Sequence, residues 1–282
     1  GHLSYAECVV PGRETGEALV YTHVCHPQLA NDNLSGIAVA AALARALHRA
    51  RPRLTWRFVF APGTIGAITW LALNRQNLHR LQAGLVVGLL GGPGPLTYKR
   101  SRRGDTLADR AAAHVLARCG GVLTDFEPYG YDERQFCSPG FDLPVGRLTR
   151  APNGAYPEYH TSADNLDLVT VPALAGSLSA LAEVVDTVDA CTRWVNLSPW
   201  GEPQLGRRGL YAALGGAGAG PGQAEHALLW LLNQSDGRHD LLDITQRSGL
   251  PLGLLAQGAR LLEEAGLLAP ADACSEPERR SA

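Results

Sequence analysis

Tyr21-Thr22-His23-Val24-Cys25-His26-Pro27-Gln28-Leu29-Ala30-Asn31-Asp32-Asn33-Leu34-Ser35-Gly36 is the stretch on which both the fold and the chemistry turn. The apolar run leading into it predicts a buried strand over residues 18–22. The Ala- and Leu-rich run after it predicts a helix from residue 37 to about 48, with Asn33 or Ser35 able to cap the first turn. Two histidines, a cysteine and an aspartate therefore crowd a single strand-to-helix connection. In open α/β sheets, ligands bind at the carboxyl ends of the strands.

Working outward, the same alternation repeats. Strands are expected over 7–10, 54–60, 83–90, 122–126 and 143–149, and helices over 67–74, 106–119 and 172–194. Polar loops fill 131–139 and 151–165. Strands alternating with helices imply βαβ units and a largely parallel sheet with helices on both faces. The pattern breaks at Ser198-Pro199-Trp200-Gly201-Glu202-Pro203, and residues 215–222 are a Gly/Ala/Pro stretch. Amphipathic helices then follow over 224–233, 240–249 and 252–266. With the tight turn at 248–251 and Leu267-Leu268 after them, they resemble a winged-helix module.

Composition bounds the function classes. The chain has 282 residues, is 45 % hydrophobic and 18 % charged, and carries a net charge of −2, so it can bury a core and shows no global nucleic-acid signature. No run of eighteen apolar residues is present, which gives no expectation of a membrane span. The six cysteines include no Cys-x-x-Cys pair and read as reduced thiols in a cytoplasmic protein. A chain without methionine that opens on Gly1 is expected to have lost its start, and with it an upstream part of the domain.

A hydrolytic zinc site needs about three N, O or S ligands and an open position for water. His23, His26 and Asp32 supply that chemistry, whereas Cys25 reads as a small packed residue. The late loop Tyr156-Pro157-Glu158-Tyr159-His160-Thr161-Ser162-Ala163-Asp164-Asn165 offers His160 to complete the coordination. It also offers Glu158 as a base for water. Tyr131-Asp132-Glu133-Arg134-Gln135-Phe136 places two further carboxylates, Asp132 and Glu133, as a base, a ligand or a contact to a substrate amine. Pro62-Gly63-Thr64-Ile65-Gly66 has only backbone amides and a hydroxyl to offer. Lys99, Arg100, Arg102 and Arg103 read as a solvated basic turn. No serine sits in a Gly-x-Ser-x-Gly elbow.

These motifs resemble a family. His23 after a strand, then Asp32-Asn33-Leu34-Ser35-Gly36 opening a helix, looks like the metal-binding core of the zinc-dependent aminopeptidase superfamily, which also holds glutaminyl cyclases. Tyr159-His160-Thr161 with Asp164 is similar to its late ligand motif, and Asp132 to Phe136 with Gly140 and Pro144 to its Asp-x-x-x-Phe loop. His23-Val24-Cys25-His26-Pro27, Pro62 to Gly66 and Tyr156 to His160 together resemble a bacterial aminopeptidase-like family with a C-terminal winged helix and an inserted small β domain. The resemblance implies an N-terminally incomplete catalytic domain over 1–196, a linker over 197–223, a winged helix over 224–270 and a disordered tail over 271–282. Most of the inserted domain would then lie before Gly1.

The departures shape the expected chemistry. Cys25 replaces the aspartate of the superfamily's His-x-Asp, and Pro62-Gly63-Thr64-Ile65 stands where its paired glutamates belong. The aspartate expected after the third strand falls near Gly91-Gly92. The resemblance thus implies one zinc ion, held by His23 or His26 with Asp32 and His160, and water activated by a relocated carboxylate, Glu133 or Glu158. Asp132 or Glu133 would hold a substrate amine. The expected activity is cleavage of a small peptide or other amide; the alternative is a degenerate hydrolase fold acting as a binding or regulatory module. Residues 252–262 carry one arginine, Arg260, and no lysine. That argues against nucleic acid as a partner and for homo-oligomer contacts through the winged helix.

Overall fold

The computed structural model describes residues 1–210 and 222–271. They fall into two units, Gly1–Val188 and one beginning at Asp189. In the first, strands β1 (Ala6–Val10), β2 (Glu17–His23), β3 (Thr55–Ala61), β4 (Leu81–Val87), β5 (Thr97–Lys99), β6 (Val122–Thr124) and β7 (Val145–Thr149) form one sheet. Its order is β1-β3-β2-β4-β7-β5-β6. The central run β3, β2, β4 and β7 is parallel, whereas β1 and β5 pair antiparallel to β3 and β7. Helices α1 (Gly36–Leu47), α2 (Ile65–Asn74), α3 (Leu107–Cys119), α4 (Glu133–Phe136) and α5 (Val171–Ala190) complete the unit.

Strand side chains alternate between faces, and both faces are apolar, so the sheet is covered on both sides. Val20, Phe58, Leu85 and Leu148 pack with Leu43 of α1, Leu116 of α3 and Leu181 and Val184 of α5. Leu19, Tyr21, Val59 and Val145 pack on the other face with Trp70 and Leu71 of α2 and Phe136 of α4. Helix α5 is long and apolar enough by composition to cross a membrane. Its buried Leu181, Val184, Val185 and Val188 instead serve the core of this unit.

Two short strands depart from expectation. β5 ends in Lys99, which was read as part of a solvated turn but is 3 % exposed. The helix expected over 172–194 ends at Ala190. Residues Arg193–Asn196 form β8, because Trp194-Val195 favours a pleated surface and pairs with partner strands on both sides. β8 is the middle strand of the second unit's antiparallel sheet, between β9 (Asp236–Asp240) and β10 (Leu268–Pro270). Of the domain expected over 1–196, residues 1–188 form the first unit, and Arg193–Asn196 lie in the second unit's sheet.

Helices α6 (Gln223–Gln234), α7 (Leu241–Ser248) and α8 (Leu252–Glu264) pack with that sheet around Trp194, Leu228, Leu231, Ile244, Leu255 and Leu262. Asp240 and Asp243 form a capping box that starts α7. Of the linker expected over 197–223, the described part contributes Leu205 and Leu210 to this core; residues 211–221 lie outside the described residues. So does the tail expected over 271–282, apart from Ala271.

The β2-to-α1 connection is drawn tight. A Cβ on Gly36 would lie 2.4 Å from Asn33 Oδ1 and 2.9 Å from Gly88 Cα. Gly36→Ala is therefore expected to destabilise the fold by about 1–3 kcal/mol, read from chemical denaturation. Ala38→Gly, on the exposed side of α1, is the control and should cost about 1 kcal/mol.

Candidate metal centre

Strand β2 delivers His23 to the carboxyl edge of the sheet, and a single irregular turn, Ala30–Ser35, delivers Asp32 back to it. The Asp32–Asn33 peptide bond is cis. Asn33 ties the turn to the strand ends. Its Nδ2 donates to Thr22 Oγ1 at 2.7 Å and to His23 O at 2.8 Å, and its Oδ1 accepts from Leu89 N at 3.0 Å. Ser35 does similar work: Leu90 N donates to its Oγ, which donates to Asn31 O. The Asn-Asp-Asn-x-Ser spacing is thus a set of backbone clamps around one carboxylate.

That carboxylate faces three imidazoles. His23 Nε2 lies 2.7 Å from Asp32 Oδ1, while His160 Nε2 and His26 Nε2 lie 3.2 Å and 3.6 Å from Oδ2. Asp32 is 1 % exposed. Burial pushes its pKa up, but the hydrogen bond from His23 and the charge of the three histidines outweigh it and hold the carboxyl below its ordinary value. No lysine or arginine pairs with it among the described residues. The ligand atoms of His26, Asp32 and His160 all lie within 4.8 Å of one another. Two imidazoles and a carboxylate around a buried negative charge fit a zinc ion with an open position. His26 is thus the histidine that groups with Asp32 and His160, and His23 braces the far oxygen of Asp32.

His160 comes from the loop after β7 and has a positive φ of 56°. Asp164 holds this loop in place, a clamp that sequence reasoning missed. Its fully buried carboxylate accepts from Asn31 N at 2.6 Å, Asp32 N at 3.0 Å and the Tyr156 hydroxyl at 2.7 Å. Its own carbonyl accepts from Ala30 N. The sequence signal was its place four residues after His160, which says nothing of its partners.

Pro62 to Ile65 meet the site through backbone amides. Thr64 N donates to Asp132 Oδ1 at 2.6 Å, and Gly63 N donates to Cys25 Sγ at 3.0 Å. Asp132 is buried, and its pKa is pushed up to about 6. Burial is the main cause, opposed by the Thr64 amide and by His23. The exposed Cys25 thiol is also pushed up, first by burial of its sulfur environment and then by Asp132 and Asp32. It is a poor nucleophile.

Glu133 requires a correction. It is fully buried, 2.6 Å from Lys99 Nζ and 3.4 Å from Arg147 Nη1, so two cations neutralise its carboxylate. It cannot serve as the base or take a substrate amine. Glu158 is half-buried, and its carbonyl accepts from the Thr161 amide and hydroxyl.

Comparison with known proteins adds the following. Residues 1–191 match the family described as "Domain of unknown function (DUF4910)", and residues 192–270 match a winged helix-turn-helix family. A Clostridium acetobutylicum protein, named for polysaccharide biosynthesis and an aminopeptidase-like domain, is 43 % identical over 270 residues. The match covers 95 % of this chain and 62 % of that protein. A crystal structure from the same organism, provisionally named a peptidase, has a TM-score of 0.83 at 40 % identity, covering 94 % of this chain and 60 % of that one. A Bacillus subtilis zinc aminopeptidase has a TM-score of 0.56 at 17 % identity, covering 64 % of this chain and 48 % of its own, and shares the fold. The chain spans about three fifths of the length of the curated relative it matches.

Zinc uptake should follow this geometry. Asp32→Ala and His160→Ala are each expected to abolish stoichiometric zinc binding, measured by elemental analysis after gel filtration. Asp164→Ala keeps every ligand and is expected to weaken binding by about 10–100-fold, the usual cost of losing an outer support. Wild-type affinity in Asp164→Ala would show that the loop is held by other contacts.

Proposed function

The chain belongs to the DUF4910 family, here followed by a winged helix-turn-helix module, and from that footing we propose that it is a single-zinc hydrolase that cleaves a peptide or other amide bond. The observation that carries this reading is the grouping of His26, Asp32 and His160 within 4.8 Å around a buried carboxylate. It lies at the carboxyl edge of a parallel sheet whose fold is shared with zinc aminopeptidases. A zinc ion held there would supply Lewis acidity, lowering the pKa of water and polarising the scissile carbonyl.

The remaining work falls to the chain. His23 holds Oδ1 of Asp32, leaving Oδ2 to face His26 and His160. We assign the proton from water to Asp132, whose charge interacts with that of His23 and one of whose oxygens accepts from the Thr64 amide. A pKa near 6 suits a base working near neutrality. The relatives are named for a peptidase and for polysaccharide biosynthesis, and the two amides we put to the test are accordingly a peptide-like anilide and an acylated amino sugar. The winged helix is read as a protein-contact module. Helix α8 sets Arg260 against Glu263 and Glu264, which gives phosphates no basic face.

A second reading is a binding module that kept the metal site and lost turnover, favoured by Pro62-Gly63-Thr64-Ile65 standing where the resemblance expects the glutamate pair. Turnover of leucyl-p-nitroanilide and of N-acetylglucosamine by the zinc-loaded chain separates the two. The hydrolase reading expects one of them to be cleaved, with Asp132→Asn lowering kcat by about 10²–10⁴-fold and Glu158→Gln staying within about threefold of wild type. Zinc binding without cleavage of either would favour the binding module.

The pH dependence has a definite sign. Asp132 must be ionised to accept a proton, so activity is expected to fall as pH drops through about 6. A bound dication moves that limb to lower pH. Because the folded-state pKa is raised, the carboxylate's contribution to stability is full below its unfolded pKa and is lost as pH rises through about 6. Asp132→Asn should therefore raise the Tm of the metal-free protein at pH 8 and leave it nearly unchanged at pH 4.

A further inference from the structure

The two histidines that touch Asp32 most closely are both backed by tyrosine rings, and those rings touch each other. His23 lies parallel to Tyr131, with centroids 5.5 Å apart and an interplanar angle of 9°. His160 lies on Tyr159 at 3.8 Å and 17°. The Tyr131 hydroxyl donates to the Tyr159 hydroxyl at 3.4 Å. Through Asp32, which meets His23 at 2.7 Å and His160 at 3.2 Å, the chain of contacts closes into a ring.

Both tyrosines are seated from behind. The Arg147 guanidinium lies 5.1 Å from the Tyr131 centroid, and Arg147 is itself held by Asn153 Oδ1 and Glu133. A Cβ on Gly154 would sit 2.5 Å from the Tyr159 ring, so the chain is cut away where that ring packs. The ring edge of Tyr156 braces it further, at 5.6 Å and 71°.

We propose that Tyr131 and Tyr159 form a positioning bridge that fixes His23 and His160 relative to each other across Asp32, and so sets how tightly the site retains its zinc ion. The bridge rests on the metal-centre reading above. Neither tyrosine supplies a ligand atom. Each acts by removing freedom from an imidazole: His160 is half-exposed on a loop, at positive φ, and would otherwise sample several orientations. The hydroxyl contact makes the two stacks one unit, so loosening either releases both histidines. The positions of His160 and of the Asp32 carboxylate braced by His23 are then set by a rigid aromatic frame, which suits a small ion with short bonds to nitrogen.

A double-mutant cycle on the full chain tests this. Zinc affinity is measured by competition with a chromophoric chelator for the wild type, Tyr131→Leu, Tyr159→Leu and the double variant, with the metal-free Tm of each as a folding control. The bridge expects each single variant to lose about 10–100-fold in affinity and the double to be little weaker than the worse single. Losses that multiply, or wild-type affinity in either leucine variant, overturn it. Should a leucine variant fail to fold, Tyr131→Phe removes only the hydroxyl contact and is expected to weaken zinc about two- to tenfold; unchanged affinity overturns the bridge. A wild-type chain that takes up no zinc overturns the metal-centre reading and the bridge with it, whereas wild-type binding insensitive to these tyrosines overturns the bridge alone.

Discussion

The candidate centre depends on one carboxylate that would never touch the metal. Asp164 accepts the backbone amides of Asn31 and Asp32 and thereby joins two loops more than a hundred residues apart. A buried carboxylate is costly unless its lone pairs are filled, and here two amides and the Tyr156 hydroxyl fill them. The histidine loop is docked by hydrogen bonds to the turn that carries Asp32, in addition to its apolar contacts. Remove Asp164, and Asp32 keeps its place in the turn while His160 loses its register against it.

A second buried network supports the opposite flank. Lys99 donates to the carbonyls of Glu127 and Tyr129 and pairs with Glu133, and Arg147 pairs with the same carboxylate. Desolvating these charges is expensive, and such groups are better understood as fixing one arrangement than as adding stability. What they fix is the loop bearing Tyr131 and Asp132. Two buried charge clusters thus hold loops that contribute to the candidate site.

Much of this was legible in the sequence, for physical reasons that can be named. Apolar alternation located the central strands, because both faces of a parallel sheet must be covered. His23, His26, Asp32 and His160 stood out as metal-capable side chains at strand ends and loops, and the structure brings all four together. The illegible parts are those in which a partner decides the role. Lys99 looked like one member of a solvated basic run until Glu133 was seen beside it. Glu133 looked like a base because an acidic pair on a loop shows nothing of the two cations beneath. β8 was absorbed into a helix because four residues carry too little periodicity to resist a twenty-residue neighbour. Tyr131 and Tyr159 stand in the two loop motifs, but their stacking does not show there, since a ring's stacking partner is not written in its own residue type.

The distance along the chain between Asp32 and His160 has a kinetic consequence. His23, His26 and Asp32 belong to the first parallel βα unit, but His160 arrives only after β7 has paired with β4. Closing a loop of that length carries an entropic cost that only the finished sheet offsets. A chain folded as far as β4 would present an incomplete set of donors and bind an ion weakly. On the proposed zinc-site reading, full-strength capture of the ion would wait for the last stage of assembly, and only chains whose long-range pairing is complete would retain it.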